Sequence, residues 1–175
     1  MSLLITAAQL RVRINGLGQA IDKHYEGKPL VVLVLLNGAF VFAADLLRRL
    51  DRSIHLEFVR AESYEGTHSS GRVLFGQMPE WRKYLSSAGE MPHLLVVEDI
   101  IDSGFTMNAL LPELNLVGFQ SVEVCTLLHK NVATGLHPVL HPRWVGFEID
   151  PSAFVVGYGR DHNGHYRNVP YIARV

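Results

Sequence analysis

Leu94-Leu95-Val96-Val97-Glu98-Asp99-Ile100-Ile101-Asp102-Ser103-Gly104-Phe105-Thr106 decides the architecture of this 175-residue chain. Leu94–Val97 is wholly apolar. A short apolar run that ends in a polar turn reads as a strand buried on both faces, the habit of parallel sheets. Glu98–Thr106 reads as the turn, and the spacing predicts a helix over about Met107–Leu116 after it. Pro112 lies inside that helix and should kink or shorten it.

The same pattern extends outward. Leu30–Leu36 is a second apolar strand, Asn37-Gly38 its turn, and Phe40–Leu50 an amphipathic crossover helix. Thr6 and Gln9 form a capping box, so a first helix is expected over about Ala7–Tyr25, stopped by Gly27 and Pro29. His55–Arg60 reads as a half-exposed strand, Glu65–Gly71 as a mobile loop, and Val73–Phe75 as a short strand before an exposed turn at Pro79. Val122–Leu128 is a third buried strand. Trp144–Ile149, Phe154–Tyr158 and Tyr171–Val175 complete the set. Strands alternating with helices predict an α/β fold, a mainly parallel twisted sheet flanked by helices. No repeat or linker interrupts it, so residues 1–175 read as a single domain. Ligands of such sheets sit beyond the carboxyl ends of the strands. That rule singles out Asn37-Gly38 and Glu98–Thr106.

Bulk properties exclude several classes. Hydrophobic residues make up 48% and charged residues 19%, and the formal net charge is -1. This balance gives no electrostatic reason for a nucleic-acid or membrane partner. Cys125 is the single cysteine and can form no internal disulfide, which suits a reducing compartment. Met1–Thr6 lacks the form of a signal peptide, and Leu30–Leu36 is far short of a membrane span, so a cytoplasmic protein is expected. The nine histidines show no zinc spacing: Pro138 and Pro142 break up His137 and His141, and His162 and His165 flank an Asn163-Gly164 turn.

The acidic turn carries the chemistry. Ser103, Gly104 and Thr106 offer small side chains, hydroxyls and free N–H groups where a helix begins, the form of a phosphate cradle. It has no Lys and is not a triphosphate P-loop. Glu98, Asp99 and Asp102 would repel a phosphate unless a cation or sugar hydroxyls lie between. A sugar phosphate resolves the conflict. Taken singly, the acids could merely solvate a strand end, and Asp102 or Thr106 could cap a helix.

The string Val96–Thr106 resembles the PRPP-binding motif (PRPP is 5-phosphoribosyl 1-diphosphate) of type I phosphoribosyltransferases, in the form of their hypoxanthine-guanine branch. The resemblance continues along the chain. Leu36-Asn37-Gly38-Ala39-Phe40 looks like the family's first ligand loop, and Glu62-Ser63-Tyr64 like the start of its lid. Leu127–Lys130 and Val145–Ile149 resemble its purine side. Phe154–Asp161, Tyr166–Asn168 and Pro170–Ile172 resemble its C-terminal signature. It implies the type I phosphoribosyltransferase fold, with a small purine-side hood and a mobile lid loop.

The resemblance also implies roles. Glu98 and Asp99 would bind the ribose hydroxyls, directly or through Mg2+, and Ser103, Gly104, Phe105 and Thr106 would hold the 5-phosphate. Asp102 would exchange a proton with purine N7 as general base; the reaction passes through an oxocarbenium-like state, and a nearby carboxylate stabilises it. Lys130 would donate to the 6-oxo group, Phe154 would stack on the base, and the Val155 backbone would read its edge. Asp161 would help hold a second Mg2+. Arg167 would contact the pyrophosphate, a group suited to a guanidinium fork. Ser63 and Tyr64 would be the lid's contacts. Asn37 and Gly38 would complete the PRPP site, with a non-proline cis peptide between Leu36 and Asn37.

Two departures stand out. Many relatives have Lys or Arg where this chain has Asn37, and Phe105 replaces a polar or basic residue. The implied substrates are PRPP and a 6-oxopurine, and the implied assembly is a homodimer or homotetramer, for which the broad apolar stripe of Phe40–Leu50 is the candidate interface. A rival reading is a regulatory protein that keeps the fold and binds nucleotide or RNA without turnover. Xanthine is a further candidate base.

Overall fold

The computed structural model describes residues 1–63, 73–130 and 141–175. The elements are β1 (Ser2–Ile5), α1 (Ala7–His24), β2 (Leu30–Leu36), α2 (Phe40–Leu47), β3 (His55–Ser63), β4 (Val73–Phe75), β5 (His93–Ile101), α3 (Phe105–Asn115), β6 (Val122–Lys130), β7 (Trp144–Ile149), β8 (Val155–Val156) and β9 (Ile172–Arg174). A single 3₁₀ turn, Trp81–Tyr84, lies between β4 and β5.

The main sheet runs β4-β3-β2-β5-β6-β7. Five of its strands are parallel, and β4 joins β3 antiparallel at one edge. The apolar runs that predicted β2 and β5 lie at its centre, and alternate residues feed two cores. Val32, Val34, Leu95 and Val97 face α1 and α2, where Leu10, Ile14, Ile21, Phe42 and Leu46 are buried. Val31, Leu33, Leu35, Leu94 and Val96 face Met107, Leu110 and Leu114 of α3. Burying each such side chain stabilises by roughly 1.5–3 kcal/mol.

α1 opens on the expected capping box. Thr6 accepts from Gln9 N at 3.2 Å, and Gln9 Oε1 accepts from Thr6 N at 2.9 Å. Its second turn is held to β7: Arg13 donates to Gly146 O at 2.6 Å and Val145 O at 2.5 Å.

Several boundaries differ from the sequence reading. β5 continues through Ile101, because Glu98, Ile100 and Ile101 go on pairing with Thr126, Leu128 and His129 of β6. Glu98 and Asp99 are therefore strand residues, not turn residues. α2 stops at Leu47, three residues short of the expected end, and α3 begins at Phe105, two residues early. Pro112 is accommodated within α3. The strand expected over Phe154–Tyr158 shrinks to Val155–Val156, because Gly157, Tyr158 and Gly159 all have positive φ. The apolar stripe of α2 is spent inside the molecule: Phe42, Ala43 and Leu46 are buried in the chain's own core, and Phe40 stays 44% exposed.

A second sheet was not foreseen as a unit. β1 pairs antiparallel with β9, and β9 with β8, in the order β1-β9-β8. It carries the start of the chain onto the C-terminal segment.

Candidate active site

The carboxyl ends of β2 and β5, the turn before α3 and the segment Phe154–Arg167 meet on one side of the main sheet. A cavity of about 280 Å3 lies there, its polar lining drawn from Asn37, Glu98, Asp99, Thr106, Arg160, Asp161 and Arg167. A smaller one of about 160 Å3, lined by Asp102–Met107, adjoins it through Glu98, Ile100 and Thr106. A larger, open cleft of about 710 Å3 between the end of α1 and the turn before β3 is at the amino ends of the strands. That is the wrong end for a ligand of this sheet class, and its Arg52 is already tied to Asp22 at 2.6 Å.

Close backbone approach builds the 280 Å3 cavity. The Leu36–Asn37 peptide is cis, as the resemblance implied. A Cβ on Gly38 would overlap the Asp99 carboxylate, and a Cβ on Gly159 would overlap Gly38 O. Gly38, Asp99 and the turn at Gly159 therefore meet at one point, and only glycine fits at both positions. Gly159 also has φ +100, a conformation glycine adopts without strain.

The acids are differentiated. Glu98 is 8% exposed and accepts from Asp99 N at 3.0 Å. Burial first, and then the neighbouring Asp99 charge, push its carboxyl well above the usual carboxylate range. Asp99 is held by Arg160, whose Nη1 donates to Oδ2 at 2.6 Å. Asp161 is paired with Arg167 at 2.5 Å, and Arg167 also donates to Gly159 O at 2.7 Å. Among the described residues, no three acidic, histidine or cysteine side chains stand close enough to enclose a metal ion. Glu98, Asp99 and Asp161 nonetheless present only oxygen donors to one cavity. Such a set fits an ion that takes one or two carboxylates and fills its shell with water and substrate oxygens, which is magnesium's habit.

Asp102 does not cap α3. The N-cap is Gly104, with φ +76 and no side-chain cap bond, and Ser103 Oγ accepts from Phe105 N at 3.4 Å. Asp102 instead accepts from Lys130 Nζ at 2.5 Å. β5 and β6 are neighbours and both end here, so the two side chains meet across adjacent strand ends. The Lys130 side chain is 9% exposed and that of Asp102 is 57% exposed. The plain alternatives, a solvated lysine and a helix cap, both fail. Phe154 is 51% exposed, edge-on to His162 at 5.4 Å, so it is no core aromatic. Val155 is buried in β8. Ser63 ends β3; Tyr64 and the lid lie outside the described residues. Among the histidines, His129 departs from the expected solvated state: it is buried and bonds Glu148 at 3.0 Å.

Sequence reasoning brought together Asn37, Gly38, Glu98, Asp99, Thr106, Asp161 and Arg167, which line one cavity, and separately Asp102 with Lys130. It assigned no role to Arg160. The only signal available was a guanidinium beside Asp161 in a glycine-rich turn.

Known proteins are similar to this chain in sequence and fold. Residues 5–163 fit the family model described as the phosphoribosyl transferase domain. The chain is 38% identical over 182 residues to the hypoxanthine phosphoribosyltransferase of Haemophilus influenzae, covering 100% of this chain and 95% of that protein. It is 38% identical over 170 residues to the bifunctional protein TilS/HprT of Listeria innocua, covering 97% of this chain but spanning only 25% of that longer protein. A crystal structure of a hypoxanthine phosphoribosyltransferase from Staphylococcus aureus superposes with a TM-score of 0.85 at 33% identity, covering 99% of this chain and 90% of the other.

Proposed function

The chain belongs to the phosphoribosyl transferase domain family, and from that membership we propose that it is a purine-salvage enzyme. It transfers the 5-phosphoribosyl group of PRPP to hypoxanthine or guanine and releases pyrophosphate. One bond forms, between N9 of the base and C1 of the ribose. One breaks, between C1 and the diphosphate oxygen, and the base loses a proton.

The observation that carries the base assignment is the Lys130–Asp102 pair. It sets a donor and an acceptor 2.5 Å apart at one mouth. The O6/N7 edge of a 6-oxopurine has the matching order, an acceptor beside an N–H. Lys130 keeps further ammonium donors for O6, while Asp102 takes the N7 proton as general base. Adenine would turn its 6-amino donor toward the ammonium and leave both unpaired. Phe154 stacks on the base face, and the Val155 backbone reads its edge. Ser103–Thr106 hold the 5-phosphate through N–H groups and hydroxyls. Asn37, Gly38 and Arg167 face the diphosphate. Ser63 and Tyr64 serve a lid that excludes water. Glu98, Asp99 and Asp161 would hold Mg2+, which would offset charge on the leaving group. The site favours turnover over a purely regulatory role, because acid, donor and phosphate cradle converge.

We further propose that residues 1–175 form one domain, that the protein is cytoplasmic, and that it acts as a homodimer or homotetramer. Among the described residues, no helix is long and apolar enough to cross a membrane. A solution mass equal to one chain would end the oligomer proposal.

The function is tested with purified protein, PRPP and Mg2+, offering hypoxanthine, guanine, xanthine and adenine in turn. Turnover of hypoxanthine or guanine and none of adenine is expected. Lys130→Ala should narrow the gap to adenine by roughly ten- to a hundredfold. An unchanged preference in that variant would sink the donor argument, and wild-type protein inert on every base would favour the regulatory reading.

A further inference from the structure

Three observations meet at residue 160. First, Arg160 lines the same cavity as Asn37, the exposed and uncharged residue of the first turn. Second, the backbone at Gly159 lies against Gly38 O, and the Asp99 carboxylate lies against the Gly38 α-carbon. The guanidinium on Asp99 is thus already beside the 37–38 turn. Third, Arg167, the other cation lining this cavity, is divided between Asp161 and Gly159 O. A diphosphate brings several negative charges to this turn, and its neutral Asn37 offers no countercharge.

We propose that Arg160 is a second diphosphate-binding cation of this site beside Arg167, doing from the C-terminal segment what an uncharged Asn37 cannot do from the first turn. Asp99 holds it ready. When the ribose hydroxyls of PRPP take up Asp99, the guanidinium is released toward the diphosphate on the Gly38 side. The shift is short, because Asp99, Gly38 and residue 160 already share one corner. A guanidinium suits the task, since its fork matches two oxygens of a phosphate at once. The latch also keeps the cavity from presenting an uncompensated Asp99 charge to an incoming anion. Asp99 and Arg160 are 13% and 17% exposed, so solvent screens their exchange only partly.

The inference rests on PRPP being the substrate, and its test separates the two claims. Pyrophosphate, PRPP and the product nucleotide IMP, which lacks a diphosphate, are titrated by calorimetry with Mg2+ present. The proteins are wild type, Arg160→Met, Arg160→Lys and the double variant Arg160→Met/Asn37→Lys. Arg160→Met should bind pyrophosphate and PRPP on the order of ten- to a hundredfold more weakly while retaining IMP. Its KM for PRPP should rise more than kcat falls. Arg160→Lys should lose less, and Asn37→Lys should restore much of the loss in the methionine background. Arg160→Met with wild-type pyrophosphate affinity would overturn the inference. So would an equal loss of IMP and pyrophosphate, which would make Arg160 a support of the fold. Wild-type protein that binds neither PRPP nor IMP would instead bring down the proposed function.

Discussion

Asp102 and Lys130 are 28 residues apart in sequence and 2.5 Å apart in space. Each was singled out in the sequence through the resemblance to type I phosphoribosyltransferases, which implies an acid in the turn and a donor on the purine side. Their direct pairing was not, since it depends on β5 and β6 ending side by side. Asp102→Asn keeps the size of the side chain and its contact with Lys130 but removes the base. Turnover should fall by about a hundredfold or more, with PRPP affinity mostly kept. Steady-state rates and calorimetry on the same preparation check this; a variant as fast as wild type would remove Asp102 from the proton transfer. Arg160 was illegible for a similar reason. Its partner Asp99 lies 61 positions away, and the fold brings the two segments together through contacts such as that of Gly159 with Gly38.

At the scale of elements, periodicity found β2, β7 and the body of α1 to within a residue. The capping box at Thr6 and Gln9 predicted where α1 begins, and side-chain bonds that satisfy orphan N–H groups explain why. Thr6→Ala should destabilise the protein by about 1 kcal/mol, read as a lower urea midpoint with an unchanged m-value. A shift below the scatter of the measurement would mean that Arg13 and the buried face of α1, not the cap, set that end. Element ends were read less well where tertiary pairing decides them. β5 runs on into the acidic residues because β6 offers partners, and the polar side chains of Glu98 and Asp99 hid this. β1 was missed altogether: four residues carry too little pattern, and their pairing with β9 is a property of the whole chain.

For the whole molecule, the mainly parallel sheet with flanking helices followed from apolar runs and crossover helices, while the strand order and the second sheet did not. One global property follows from a cluster far from the site. Tyr25, half-buried His24 and His93, and Trp144 pack ring to ring at the amino ends of the strands. Burial is the first cause that lowers the pKa of both histidines; Lys28 lowers both, Arg143 adds to this at His24, and Glu123 opposes. The folded state therefore holds fewer protons than the unfolded state below the ordinary histidine value of about 6.5. The stabilisation is complete above that value and is lost as pH falls through it toward the lowered values. The thermal midpoint should drop between about pH 7 and pH 5.5, and His93→Asn should flatten the slope. An identical slope in the variant would assign the loss to other groups.

The pairing of Ser2–Ile5 with Ile172–Arg174 has a consequence for the order of events in the cell. β1 leaves the ribosome among the first residues of this segment, and its partner β9 among the last. Closing so long a loop is slow, so this contact forms late. Until then β1 offers unpaired backbone and the apolar Ile5, which the folded molecule buries, to any neighbour. The strands around the acidic turn, β2, β5 and β6, can assemble while synthesis continues. The strands that hold the phosphate turn can thus pair before the C-terminal signature is locked into place.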